Sequence, residues 1–455
     1  NNLFLQTEYR QAFKNSNLIT DISFNNKENS NSHFFANLKG DFENSFYQMK
    51  IETVSNDAYL KKYQIKSPLI DSYSTLNSSF IVESLSENSS FYSSIDIIED
   101  LTKSNNDKYE YIFPNFEFTQ DKYLNNNFFE TMNYKSSGSY RKFNTNVDEL
   151  DFINDIVLQT NNFEIIDNAE SNLKFLIRNL NTYGNLSNTI KEDETYAVKS
   201  AFVYNLKYPL IKEKEKNTSF LSPIASLRYS PNKGLNLKNE ETIISFEDLF
   251  NLDRINNKTV EEGGSLTLGL EYINQEKNTF NENLKFGLGV NLRTTEDKDL
   301  PLSSSLNQKT SDIIGYSGIN ITENLSLNYN FSVDNNLSET NYSLISANYN
   351  TDRLKTRFEY MEKSNFIGDE SYLTNFTELL INKSNSVSFE TSKNVDKDIT
   401  NYYDLIYSYY NDCLKASVVY NRQFYEDKSI NSDQNIFFKI SFIPFGTINT
   451  PNIND

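Results

Sequence analysis

The sequence predicts an all-β fold, one large antiparallel transmembrane β-barrel of about 24 strands, and three observations carry that prediction. Apolar and polar residues alternate from end to end. No run approaches the roughly 20 apolar residues of a membrane helix. Gly 13 and Pro 8 in 455 residues leave no linker that would divide the chain. Alternation gives a sheet one apolar and one wet face. An open sheet of this size would bare its edges and its apolar face, whereas closure in lipid pairs the edges and covers the face. At roughly 17 to 20 residues per strand with its connection, the length yields on the order of 24 strands.

Composition agrees. The hydrophobic fraction is 37%, below the roughly 45–50% of globular domains, while aromatics reach 14% with Tyr 30, Phe 34 and Trp 0. A mean hydropathy of −0.61 is compatible with a continuous apolar outer wall when the other phase of each strand is polar. The net charge of −19 excludes nucleic acid and anionic membrane surfaces as simple electrostatic partners. The chain opens NNLFLQTEYRQ, without an initiator Met or a signal peptide, so the expectation is a removed leader or a missing N-terminal part.

In chain order, ELDFINDIV (149–157) has helix-like stretches but strand patterns on both sides, and is expected to be a strand. IKEKEK (211–216) is a solvated turn. SFEDLFNLDRINNKTVEEGG (245–264) is longer and irregular, a structured loop. Leu266, Leu268, Leu270 and Tyr272 then share one phase, as do Leu284, Phe286, Leu288, Val290 and Leu292. TEDKDLPLSSSLNQKTSD (295–312) is an exposed loop. Leu325, Leu327, Tyr329, Phe331 and Val333 alternate with Asn and Ser, and FTELLINK (376–383) is again a strand between strands.

The end of the chain sets direction. NIFFKISFIPFG (435–446) is the last strand, with Ile436, Phe438, Ile440 and Phe442 in one phase. With the C-terminus periplasmic, that strand runs downward and YEDKSINSDQ (425–434) is an extracellular loop. CLKASVVYNRQF then runs upward from a tight turn at Asn411-Asp412, with Leu414, Ala416, Val418 and Tyr420 outward and Cys413, Lys415, Ser417 and Asn421 inward. Cys413, the only cysteine, is placed at the periplasmic end in an oxidising compartment. It is either paired with a cysteine outside this chain or an incidental free thiol.

Catalytic and metal signatures are absent from the sequence. His33, the only histidine, follows a polar loop without a Cys/His cluster and is expected at the surface. No Gly-rich phosphate loop or Ser-His-Asp arrangement stands out, and loop carboxylates are explained by solvation. No catalytic, cofactor-binding or metal residue is nominated.

The stretch YYNDCLKASVVYNRQFYEDKSINSDQNIFFKISFIPFG (409–446) resembles the C-terminal strands of the LptD family of lipopolysaccharide-assembly proteins, with its Asp-Cys after a tight turn and its Phe-Ile-Pro-Phe-Gly ending. Stretches 54–65, 206–232, 247–272 and 306–334 agree in the same order. The resemblance implies one outer-membrane β-barrel domain over 1–455, lacking an N-terminal jellyroll and roughly the first two barrel strands. It implies a translocon in the cell outer membrane that takes lipopolysaccharide from the periplasm and releases it to the outer leaflet through a lateral gate, without bond-making chemistry.

The implied partners are lipopolysaccharide, outer-membrane lipid, an LptE-like lipoprotein plug and an LptA-like bridge reached through the missing domain. Family cysteines of the N-terminal part pair with the position of Cys413, which implies a disulfide to sequence outside this chain. One side of the gate would be the last strand, Asn435 with Ile436, Phe438, Ile440 and Phe442, where Pro444 ends regular pairing. The mixed charges of 211–216 are a solvated turn or a contact for lipopolysaccharide phosphates. The rival from the residues alone is a passive porin or nutrient channel; an outer-membrane lipase would need a base that only His33 offers.

Overall fold

The computed structural model describes residues 4–449, apart from 26–30, 64, 66, 71, 125, 188–189, 191–194, 256–258, 365–368, 412–413, 424–432 and 443–445. Among the described residues one sheet of 25 strands takes up almost the whole chain. Its first part comprises β1 (Phe4–Ala12), β2 (Ser16–Asn25), β3 (Asn31–Phe42), β4 (Ser45–Val54), β5 (Thr75–Ser86), β6 (Ser89–Asp100), β7 (Tyr109–Tyr123) and β8 (Phe129–Phe143). There follow β9 (Val147–Thr160), β10 (Glu170–Asn185), β11 (Thr195–Lys207), β12 (Leu210–Glu213), β13 (Asn217–Ser230), β14 (Gly263–Glu276), β15 (Glu282–Arg293) and β16 (Ile313–Thr322). The rest are β17 (Leu325–Val333), β18 (Thr340–Asn350), β19 (Leu354–Lys363), β20 (Glu370–Asn382), β21 (Asn385–Asn394), β22 (Ile399–Tyr410), β23 (Leu414–Gln423), β24 (Asp433–Phe442) and β25 (Gly446–Asn449). β12 and β25 are four-residue stubs, which leaves 25 − 2 = 23 longer strands, close to the expected number.

Each strand pairs antiparallel with its neighbour in sequence, except that β13 takes both β11 and β12 along its length. Pro209 explains the exception: it has no N–H for the ladder, so the strand breaks between Lys207 and Leu210. Residues 149–157 and 376–382 are strand as expected, within β9 and β20. Of 211–216, residues 211–213 continue as β12, so the turn there is shorter than the charge pattern implied. β1 and β25 approach within 8 Å between Cα atoms, so the two ends of the sheet meet and it closes as a barrel. No ladder between them is among the described pairings.

Register confirms the phases. Leu266 faces Leu292, Leu268 faces Val290 and Leu270 faces Leu288 between β14 and β15, and between β17 and β18 Leu327 faces Ala347 and Tyr329 faces Ile345. Leu268, Leu288, Leu327 and Ile345 are exposed, the arrangement of a wall solvated by lipid. The ends of the barrel differ. At one end the connections are short, such as 43–44, 87–88, 323–324, 351–353 and 383–384. At the other lie 55–74, 231–262 and 294–312, the three longest.

Candidate functional site

The long loops do not stand away from the barrel; they fold into it. Loop 231–262 begins its inward path over a flat patch of glycine on the inner phase of β14 and β15, where Gly269 faces Gly289. A Cβ on Gly269 would lie 2.5 Å from Cζ of Phe250, and one on Gly289 would lie 2.8 Å from Cδ1 of Leu249. Only a wall without side chains lets these loop residues lie flat against the sheet. Ile244 and Leu249 then form a buried cluster with Leu300 and Leu306 of the second loop and Ile314 of β16. Leu252 and Val260 pack on Leu176, Ala201 and Val203 of β10 and β11.

Buried charges tie the same loop to the wall. Glu261, fully enclosed, takes Nε and Nη2 of Arg254 at 2.6 and 2.7 Å and Nη1 of Arg293 at 2.7 Å. Arg228 of β13 donates to the carbonyls of Leu252 and Glu261, both at 3.0 Å. A second anchor is Arg178 of β10, bidentate to Asp155 of β9 at 2.8 and 2.7 Å, with Asp253 of the loop at 2.8 Å and the Thr259 carbonyl at 2.6 Å. Burial alone would raise the Glu261 pKa, but Arg254, Arg228 and Arg293 outweigh it and hold the group down at about 2. Removing one member of such a network strands the others without compensation, at a cost of about 3–5 kcal/mol.

These ties overturn the expectation that loop carboxylates are solvated: Glu261 is buried and ion-paired, and Asp253 is ion-paired to a buried arginine. A signal was available. The chain has nine arginines among its 43 basic residues, and four of the nine are in this network. Arginine in a lysine-rich sequence marks places where a planar, bidentate cation is needed. The apolar Phe246, Leu249 and Leu252 within the structured loop 245–264, with Ile244 just before it, were the second.

His33 corrects the surface expectation. It stands in the inner phase of β3, opposite Ser23, and is 2% exposed because loop 55–74 covers it. Its Nδ1 is 2.6 Å from Ser23 Oγ and its Nε2 is 3.1 Å from Asp21 Oδ1, while its ring stacks on Phe35 at 4.2 Å. The Ser23 hydroxyl is also 2.5 Å from the Tyr59 hydroxyl of the covering loop. The trio has triad membership but no access, since Asp21, Ser23 and Tyr59 are each 1% exposed. The group works as a polar rivet between loop and wall, beside an apolar cluster of Tyr59, Leu60, Ile65 and Leu69 with Phe35 and Leu76.

The remaining arc is different. Among the described residues every buried apolar side chain lies between Phe35 and Ile314. From β17 to β23 the inner phase is largely polar: Asn328 faces Ser346, Asn348 faces Arg357 and Glu390 faces Asp404. Ser408 and Ser417 join hydroxyls at 3.0 Å. Connections at the long-loop end of this arc such as 334–339 and 395–398 are too short to reach inward. Where the two arcs meet, a cleft of about 580 Å³ opens between residues 243–247 and the inner phase of β15 to β18.

Of the sequence-nominated residues, Cys413 and Pro444 lie outside the described residues, and a single cysteine leaves the expected disulfide without support. Asn435, Ile436, Phe438, Ile440 and Phe442 lie on β24. Ile436, Phe438, Ile440 and Phe442 pair with Tyr420, Val418, Ala416 and Leu414 of β23, and Asn435 pairs with Asn421. No group of three metal-binding side chains occurs among the described residues.

The family model described as "LptD: LPS transport system D" matches residues 22–395. No curated protein matches the chain. Among solved structures, a variant of the Rh. blastica porin is 8% identical with TM-score 0.28, covering 70% of this chain and 100% of that one. The copper transporter OprC is 8% identical with TM-score 0.33, covering 97% and 70%. The ferric-catecholate import receptor Fiu from E. coli K12 is 8% identical with TM-score 0.32, covering 99% and 81%. At these TM-scores the three structures carry no argument about function.

Proposed function

The chain belongs to the LptD family, LPS transport system D, and acts in lipopolysaccharide transport and assembly at the outer membrane; from that membership we propose a division of labour inside its barrel. The arc from β2 to β16 is closed by its own loops and serves as a fixed stop. The arc from β17 to β23 is the path of the sugar and phosphate part of the cargo. The observation that carries this reading is the confinement of every buried apolar side chain, among the described residues, to the Phe35–Ile314 side.

With the long loops facing outward, the short-turn end faces the periplasm. Cargo enters there from an LptA-like bridge, and an LptE-like lipoprotein completes the closure of the lumen. β24, with Ile436, Phe438, Ile440 and Phe442 and with Pro444 after it in the sequence, forms one side of a lateral gate, and the stub β25 paired to it lies beside β1. Acyl chains leave sideways because burial in lipid favours them by about 0.8 kcal/mol per CH₂. No bond is made or broken, so the family's energy source lies elsewhere.

Narrowing the open arc tests the proposal. Thr374→Trp combined with Ser388→Trp adds bulk to its inner phase outside the cleft that residues 243–247 line. Surface delivery of lipopolysaccharide is expected to fall while the barrel still shows heat-modifiable electrophoretic migration. Normal delivery through a folded, narrowed barrel would overturn the assignment.

A further inference from the structure

The cleft between the two arcs combines features that neither arc has alone. Its floor is aromatic: Phe246, 5% exposed, meets Tyr316 edge-on at 5.3 Å, and the Tyr316 hydroxyl is held by Glu271 at 3.1 Å. Tyr342 stands on the opposite side. Between them Asn328, Asn330 and Ser346 line the cleft, and among the described residues their side chains make no hydrogen bond. Two amides and a hydroxyl held open beside ring faces offer both donors and acceptors at close spacing. That set matches the adjacent hydroxyls of a pyranose, whose C–H face packs on the electron-rich face of an aromatic ring.

Charge selects among saccharides. Glu247 lines the cleft and Glu271 lies behind Tyr316, while the cleft's lysine, Lys285, is 3.2 Å from Glu282. A phosphate there would meet two carboxylates and a cation already engaged. We propose that this cleft is a subsite for an uncharged sugar unit of the cargo glycan, a first station on the open arc. The proposal rests on the translocon reading and names which part of the cargo touches which residues. The flatness of Gly287, whose Cβ would lie 2.5 Å from Cε1 of Tyr316 and 3.1 Å from Cδ1 of Phe246, keeps the floor seated.

The test uses the full barrel in detergent and saturation-transfer NMR to a lipid-free, dephosphorylated core oligosaccharide. Transfer is expected from the native barrel to the oligosaccharide, and to fall about tenfold in Asn328→Ala/Asn330→Ala, whose three or more lost hydrogen-bonding positions leave the fold intact. Tyr342→Ala gives an independent second variant with the same expected loss. Inorganic phosphate at equal concentration is expected not to compete; competition would show that the site takes anions and overturn the assignment. Oligosaccharide transfer unchanged in both variants would place binding elsewhere. If the oligosaccharide fails to bind while lipopolysaccharide still cross-links along β17 to β23, the subsite falls and the translocon reading stands.

Discussion

The two arcs of this barrel are built from the same alternating strands yet solve opposite problems. Loops 55–74, 231–262 and 294–312 cover the inner phase at β2 to β5, β9 to β11 and β13 to β16, and this side holds all buried apolar clusters among the described residues. From β17 to β23 the inner phase is largely polar, and loop residues reach it through polar contacts such as Glu241 with Lys363 and Asp312 with Ser332. The difference teaches that a barrel's lumen is set by what its connections do as much as by strand number. A wide barrel becomes a half-filled one when loops of roughly 20 residues or more return to it.

The largest break in the comparison comes from Glu261→Ala. It leaves Arg228, Arg254 and Arg293 buried with their shared carboxylate gone, and should loosen the loop by about 3–5 kcal/mol. Limited proteolysis is expected to cut 231–262 in this variant and to spare the native chain. Glu390→Ala on the open arc should stay within about 0.5 kcal/mol in thermal unfolding. Equal losses at the two positions would erase the distinction between the arcs.

Gly289→Leu is next. Its side chain would occupy the place of Leu249, and overpacking of about 1–3 kcal/mol should displace the loop. Ser388→Leu on the open arc, a position outside the cleft that residues 243–247 line, should leave the thermal midpoint nearly unchanged.

Acid sharpens the contrast in a definite window. The Glu261 pKa is held at about 2, below its unfolded value near about 4.3, so its contribution is complete above the unfolded value and is lost as pH falls through the folded one. Proteolysis of 231–262 by an acid-active protease is expected to rise between about pH 4 and pH 2. In Glu261→Gln that rise should be missing, because the titrating group is gone.

The smallest effect is at the first loop. Tyr59→Phe removes the hydroxyl next to Ser23 but leaves His33 between Ser23 and Asp21, so a loss of about 1 kcal/mol is expected in chemical unfolding. A loss several times larger would mean that the rivet, not the apolar cluster around Leu60, holds loop 55–74.

Strands and their phases were legible because period two is written residue by residue, as in Leu325 to Val333 or Leu284 to Leu292. The inward course of 231–262 was not, since its apolar residues follow no period and their partners, Gly269, Gly289 and Leu176, lie on three different strands. His33 misled for a related reason: the polar stretch before it pointed to solvent, while its cover comes from Tyr59, 26 positions later in the chain. Local pattern sets which phase a side chain takes. What covers that phase is decided by chain far away.

The central claim is that cargo follows one arc, and site-specific photocross-linking tests it most directly. A benzophenone amino acid replaces Leu344 or Ile406 on the inner phase of the open arc, and Val157 or Ile224 on the inner phase of the covered one. All four positions are half-buried and apolar, so the substitutions are matched. Lipopolysaccharide adducts at Leu344 and Ile406, with none at Val157 and Ile224, are the expected result. Adducts of equal yield on both arcs, or only on the covered one, would contradict the account.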